Sequence, residues 1–188
     1  MPGPPPVRLR RARTSDVGAI ARIYNEAVLT TTGTFDLRPR SLPDRRRWFA
    51  SHDRRHPIFV AVHGRSVVGW ASISRWSDRP AYDATAEVSI YVSAPDRGRG
   101  IGARLLHRLV RAGRESGLHT LLARVADGNA VSLRMHAEAG FVPVGVMREV
   151  GVKFGRRLDV HLLQLLYPSG APVARPRRAR GGRRPGRD

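Results

Sequence analysis

One stretch limits what this chain can fold into more than any other: Tyr91-Val92-Ser93-Ala94-Pro95-Asp96-Arg97-Gly98-Arg99-Gly100-Ile101-Gly102-Ala103-Arg104. A strand-like run, Glu87–Val92, leads into it. A helical run leaves it, with apolar residues at Ile101, Leu105, Leu106 and Leu109. Gly98, Gly100, Gly102, Arg97 and Arg99 sit where the strand becomes a helix. A helix start presents N–H groups without intrahelical acceptors, at the positive end of its dipole. Glycines let a ligand approach that backbone, and arginines add charge. The combination reads as a cradle for phosphate oxygens.

Two phosphate-binding patterns compete here with a plain glycine-rich turn whose arginines are solvated. Gly98-x-Gly100-x-x-Ala103 fits the dinucleotide fingerprint, with Asp127 at the spacing of a ribose contact. That fingerprint follows an apolar parallel strand, whereas this strand carries Glu87 and Ser89. The other pattern is Arg97-x-x-Gly100-x-Gly102, and the rest of the chain must decide.

At 188 residues the chain is long enough for one domain with a substantial core. No apolar run approaches the roughly 18–20 residues of a membrane span, and Met1-Pro-Gly-Pro-Pro-Pro6 lacks the apolar centre of a secretory signal. Without cysteine there is no disulfide, thiolate metal site or cysteine nucleophile. A cytoplasmic protein without membrane association or bound metal is expected. The net charge of +19 is almost all arginine, Lys153 being the one lysine. Such charge suits anionic partners. Arginine used in place of lysine, beside abundant Ala, Gly and Pro, also fits a genome-wide composition bias. A phosphate-rich cofactor accounts for part of the charge more simply than nucleic acid does.

Read in order, residues 1–6 form a disordered lead, and Val7, Leu9 and Ala12 mark a first strand. Thr14 or Ser15 caps a helix carrying Val17, Ile20, Tyr24, Ala27 and Val28. A polar loop follows through Asp36. Ser41 opens a second helix around Pro43–Arg55, with Trp48 and Phe49 facing inward. Strands at 57–62 and 66–73 form a hairpin around His63-Gly64-Arg65. Next come the loop 75–83, the Glu87 strand, the glycine turn and a helix over 101–115 ended by Gly117. Leu118–Val125 is a strand, and Asp127-Gly128-Asn129 leads into a helix through Ala139. Strands at 141–148 and 158–167 close the domain, with Gly151 and Gly155 in the loop between them. Residues 168–188, rich in Pro, Gly and Arg, form a disordered tail. The order βααβββαβαββ predicts an α/β domain over 7–167: a mixed, mostly antiparallel sheet of about seven strands with helices on both faces.

Three further segments fix the reading of the turn. Asn129-x-x-Ser132-x-x-x-His136-x-x-x-Gly140-Phe141 resembles the second cofactor motif of the GCN5-related N-acetyltransferases (GNAT), and Arg97-x-x-Gly100-x-Gly102 resembles their pyrophosphate loop. Ile23-Tyr24-Asn25-x-Ala27-Val28 with Phe35-Asp36, and Gly151-Val-Lys153-Phe154-Gly155-Arg156-x-Leu158-Asp159, resemble the first helix and the ending of one subgroup, the phosphinothricin and methionine sulfoximine N-acetyltransferases. The resemblance spans about residues 7–167.

It implies transfer of acetyl from acetyl-CoA to a primary amine, by direct attack on the thioester. The cofactor's pyrophosphate then lies on Arg97, Gly98, Arg99, Gly100, Ile101, Gly102 and Ala103, and its pantetheine arm along Ser89, Ile90, Tyr91 and Val92. The N–H near Val92 faces the thioester oxygen. Asn129 and Ser132 match positions that hold the pantetheine arm, although both residue types also cap helices well. Glu87 is the candidate proton acceptor; a histidine that often follows it in the family is Val88 here. His136 protonates the departing thiolate or packs against the cofactor, with Tyr91 as a rival donor. The amine substrate meets Arg75, Trp76, Ser77 and Asp78, together with Ala86, Glu87 and Val88; Arg75 and Arg79 suit acid oxygens. Thr34, Phe35 and Lys153 contribute within the protomer or across a homodimer interface. Arg157 departs from the subgroup's frequent tryptophan. Other readings are acetylation of protein N-termini or an antibiotic amine, an acyl-CoA sensor without turnover, and a nucleic-acid-associated protein using its tail.

Overall fold

The computed structural model describes residues 6–168, so the expected lead and tail lie almost wholly outside the described residues. The chain runs β1 (Arg8–Arg11), α1 (Val17–Thr30), α2 (Leu42–Ala50), β2 (Ile58–His63), β3 (Ser66–Arg75) and β4 (Thr85–Val92). It continues through α3 (Ile101–Glu115), β5 (Thr120–Ala126), α4 (Ala130–Glu138), β6 (Val142–Lys153) and β7 (Arg156–Leu166). The seven strands lie in the order β1-β2-β3-β4-β5-β7-β6. Every neighbouring pair is antiparallel except β4–β5, which α3 joins as a βαβ crossover. The expected class and element order hold.

The sheet is covered on both faces, and the strand sequences say why. In β2, Phe59 and Ala61 join a core with Leu105, Leu106 and Leu109 of α3, while Ile58, Val60 and Val62 join a second core with Ile20 and Ile23 of α1. Successive strand residues point to opposite faces, so an unbroken apolar run is what a strand buried on both sides needs. Trp48 and Phe49 of α2 pack on the second core, as their spacing predicts.

Three local details differ from the expectation. The start of α1 is tied down by Asp16 rather than Thr14 or Ser15. This buried carboxylate accepts from the Arg13 N–H at 2.7 Å and takes the Arg10 guanidinium at 2.6 and 2.8 Å, fastening β1 to the helix. Ser41 does cap α2, accepting from the Asp44 N–H at 3.2 Å, but that helix stops at Ala50. The 149–157 segment is mostly strand rather than loop. β6 and β7 run on through it to a turn at Phe154-Gly155, where φ is 51° and 71°. Gly151 is needed there, because a Cβ would run into the Phe35 ring packed over the strand.

Burial holds three histidines, His52, His56 and His136, below the ordinary imidazole pKa. The unfolded chain therefore takes up protons at a higher pH than the fold does. Their contribution to stability is complete above about pH 6.5 and is lost as pH falls below it, at no more than about 1.4 kcal/mol per pH unit for each. The carboxylates held low by arginine, Asp16 and Asp36, lose theirs only below about pH 4. Melting temperature should thus fall between pH 6.5 and 5, before Asp16 and Asp36 titrate. A flat profile over that interval would contradict the buried, neutral state of these rings.

Candidate active site

The site begins where the sheet comes apart. β4 pairs with β5 only over Thr85–Glu87 against Thr120–Leu122, while its other edge stays paired to β3 as far as Val92. Beyond Glu87 the two parallel strands diverge, and a cleft of about 1620 Å³ opens between them. The Ser93 N–H donates to Val68 in β3 at 2.9 Å. Backbone groups alternate sides along a strand, so Val88, Ile90 and Val92 turn their N–H and C=O groups toward the cleft. This is an open strand edge, of the kind an extended ligand can pair with.

The glycine turn closes the head of the cleft. Gly98 and Gly100 adopt φ of 75° and 72°, conformations a side chain would strain, and a Cβ on either would enter open space. No side chain caps α3, and its first backbone bond runs from the Arg104 N–H to the Gly100 carbonyl. The N–H groups of Ile101, Gly102 and Ala103 thus remain available to an anion at the positive end of the helix. Gly102 has a different role: a Cβ there would stand 3.2 Å from Met135 Sδ, so its absence lets α4 pack on the helix start. The arginines supply less free charge than expected. Arg99 pairs with Asp96 at 2.8 Å and stands off the cleft, and Arg97 donates to the Val92 carbonyl at 3.1 Å and lies 3.4 Å from Glu26. A helix terminus with unoccupied donors beside an unpaired strand edge fits the diphosphate and the amide-bearing arm of acetyl-CoA.

The two faces of β4 have different work. Ala86 and Val88, expected against the substrate, are buried beneath α3 instead, and Ile90 and Val92 pack beside them. Val88 can offer a ligand only backbone, Ile90 and Val92 line the cleft half-buried, and Ala86, still paired to β5, does not line it. Glu87, Ser89 and Tyr91 occupy the opposite face, on the side of α1 and α2. Tyr91 stacks on Trp70 at 4.8 Å, meets Tyr24 edge-on at 5.1 Å, and donates to the Gly33 carbonyl at 3.3 Å. Burial raises its pKa. It is a wall, and its proton is already engaged.

Glu87 is the last residue of β4 paired to β5, and its side chain is 18% exposed. Both carboxylate oxygens accept from Arg124 of β5, from Nε at 2.6 Å and Nη2 at 2.7 Å. Sequence reading missed Arg124, although a lone charge in Leu121-Leu-Ala-Arg124-Val-Ala126 was the available signal. It also missed Arg45 of α2, 5% exposed, whose guanidinium lies 4.1 Å from the Tyr24 ring and 4.7 Å from Trp48 on the floor of the same cleft.

Asn129 and Ser132 line the cleft, and the Asn129 side chain also caps α4, accepting from the Ser132 N–H at 3.1 Å. His136 is buried edge-on against Phe141, and its Nδ1 lies 2.8 Å from the Ser132 carbonyl, so Nδ1 carries the proton. With its pKa lowered by burial the ring is neutral, and its one proton is held by backbone. That arrangement favours packing over proton donation. The loop expected to hold substrate does not line the cleft. Arg75 and Ser77 line a separate small cavity with Asp83, Trp76 and Asp78 line neither, and Trp76 comes near only through Arg124, 5.8 Å over its ring. Thr34 and Phe35 do line the cleft, and Lys153 donates to the Thr34 carbonyl at 2.7 Å within the protomer.

Comparison with known proteins agrees with this geometry. Residues 20–141 match the model of the Acetyltransferase (GNAT) family. The chain is 39% identical to the L-methionine sulfoximine/L-methionine sulfone acetyltransferase of Pseudomonas paraeruginosa, over 84% of this chain and 92% of that one. It is 37% identical to the phosphinothricin N-acetyltransferase of Streptomyces coelicolor, over 85% and 96%. Among solved structures, yncA from Salmonella typhimurium with its cofactor acetyl-CoA superposes with a TM-score of 0.85 at 35% identity, covering 89% of this chain and 98% of that one.

Proposed function

Because the chain belongs to the acetyltransferase (GNAT) family, and is an acetyl-CoA-dependent N-acetyltransferase, we propose that its acceptor is the primary amine of a small amino-acid-like molecule of the methionine sulfoximine or phosphinothricin type. The observation that carries this reading is the Glu87 carboxylate at the mouth of the split between β4 and β5. It faces a cleft end walled by Tyr24, Trp48, Trp70 and Tyr91. Aromatic walls there suit a small acceptor better than a peptide. The relatives named for these two substrates support the class.

The acetyl thioester supplies the electrophile. The N–H groups of Ile101–Ala103 hold the diphosphate, the open edge at Val88–Val92 aligns the arm, and Asn129 and Ser132 bound its far side. Glu87 accepts a proton from the acceptor's ammonium, directly or through water, so that nitrogen can attack. The N–C bond forms as the C–S bond breaks, and the second proton leaving nitrogen balances the thiolate. The Val92 N–H donates to the carbonyl oxygen as charge builds there, a contribution worth roughly 2.7–4 kcal/mol of barrier. His136 shapes the cleft by packing.

A second element of the reading is a homodimer. Val142, Val144, Val146, Val150 and Val152 are exposed on β6, the edge strand beside β7, and Phe154 is exposed in the turn that follows it. An apolar edge of this kind is ordinarily covered. Sedimentation at micromolar concentration should give twice the chain mass, and a monomer would remove this element. The function is tested by thiol release with acetyl-CoA across methionine sulfoximine, phosphinothricin, ordinary amino acids, peptides and an aminoglycoside. Turnover should concentrate on the first two. Turnover confined to peptides or the aminoglycoside would replace the acceptor class.

A further inference from the structure

The Glu87–Arg124 pair occupies the candidate proton acceptor with a cation. The guanidinium covers both oxygens, yet the Arg124 side chain is 51% exposed and lines the cleft. It is therefore not a buried structural clasp. The other arginines expected to meet an acid group are elsewhere: Arg75 borders the small separate cavity, and Arg79 lies in the same loop off the cleft. Ala123 and Val125 hold β5 in the core beneath α3, which fixes Arg124 on the same side of the sheet as Glu87.

We infer that Glu87 and Arg124 together form a receptor for a zwitterion, Arg124 taking the α-carboxylate of the acceptor and Glu87 its α-ammonium. This rests on the acceptor class proposed above and adds the group that selects it. The charges balance: an α-amino acid inserts into the ion pair and turns one bidentate contact into two, leaving no charge unmatched. The guanidinium fork now on Glu87 has the geometry a carboxylate requires. The exchange also has a chemical consequence. Once the substrate acid draws Arg124 away, the Glu87 oxygens are free for the ammonium proton. An amine without the acid must instead compete with Arg124 for them. Arg124 is thus a specificity residue that also positions the proton acceptor.

The test compares methionine sulfoximine with its α-carboxamide, in wild type, Arg124→Gln and Arg124→Lys, with acetyl-CoA binding measured by calorimetry as the check on folding. Wild type should favour the free acid in kcat/KM by about 10- to 100-fold, the range for hydrogen bonds to charged groups. Arg124→Gln should bring the ratio to within about threefold, chiefly through loss of the acid, and Arg124→Lys should fall between. An unchanged ratio in Arg124→Gln, with both acceptors slowed alike, would overturn the inference while leaving the acceptor class intact. Wild type releasing no thiol with either acceptor would overturn the acceptor class, and this inference with it.

Discussion

Replacing Glu87 with glutamine should lower kcat by about 10²- to 10⁴-fold, the range over which positioned proton transfer accelerates a reaction, while the affinity for acetyl-CoA stays within about twofold. The two readouts separate because the site is divided. Acetyl-CoA is to be held by the backbone of the glycine turn and by the free edge of β4, and Glu87 lies on the other face, toward α1 and α2. The substitution is close to isosteric. The amide oxygen still accepts from Arg124, which keeps one of the two contacts at 2.6 and 2.7 Å and so the rotamer. The amide cannot take a proton from an ammonium. A rival account gives Glu87 only a structural part, as the anchor of Arg124. It predicts a lower melting temperature for Glu87→Gln with turnover unchanged. Steady-state kinetics beside a thermal melt decides between them, and full turnover would remove Glu87 from the chemistry.

How legible this site was in the sequence follows from which of its parts are local. The glycine turn could be read because φ of 75° and 72° at Gly98 and Gly100 leaves few residue types to choose from. The carboxylate could be read because Glu87 interrupts an apolar strand. Asn129 could be read as cap or ligand, and it caps while lining the cleft. The partner of Glu87 was not legible. Arg124 lies 37 positions away in a strand whose register on β4 is set by α3 packing, and no local pattern states that register. The loop after β3 misled for a related reason. Arg75-Trp76-Ser77-Asp78 has the chemistry of an acid-binding pocket, but the turn at Pro80–Tyr82 carries it toward Asp83 and the separate cavity. The hairpin of β6 and β7 ran longer than expected because Gly151 and Gly155 were read as breakers. One is a strand position beneath Phe35, and only the other turns the chain. Residue type announced the chemistry, and tertiary placement decided which copy of that chemistry faces the cleft.

Gly100→Val should raise the Kd for acetyl-CoA by more than about 100-fold, and a paired substitution shows that the cause is the ligand's approach rather than a weakened fold. At φ of 72° a β-branched residue carries a backbone penalty of about 1–2 kcal/mol. If the turn keeps its shape, the valine side chain enters the open space over the N–H groups of Ile101–Ala103. If the turn relaxes, those groups no longer converge. Either way two or more charge-assisted contacts to a diphosphate are lost, at about 1.5–3 kcal/mol each, and about 2.7 kcal/mol is already 100-fold. Gly117 supplies the control. It adopts φ of 69° with open space around its missing Cβ, but it follows the far end of α3, outside the cleft. Gly117→Val should lower the melting temperature about as much as Gly100→Val does and bind acetyl-CoA normally. Calorimetric titration of both variants reads the difference. Equal loss of affinity in the two would assign the effect to general destabilisation, and normal affinity in Gly100→Val would move the diphosphate away from this turn.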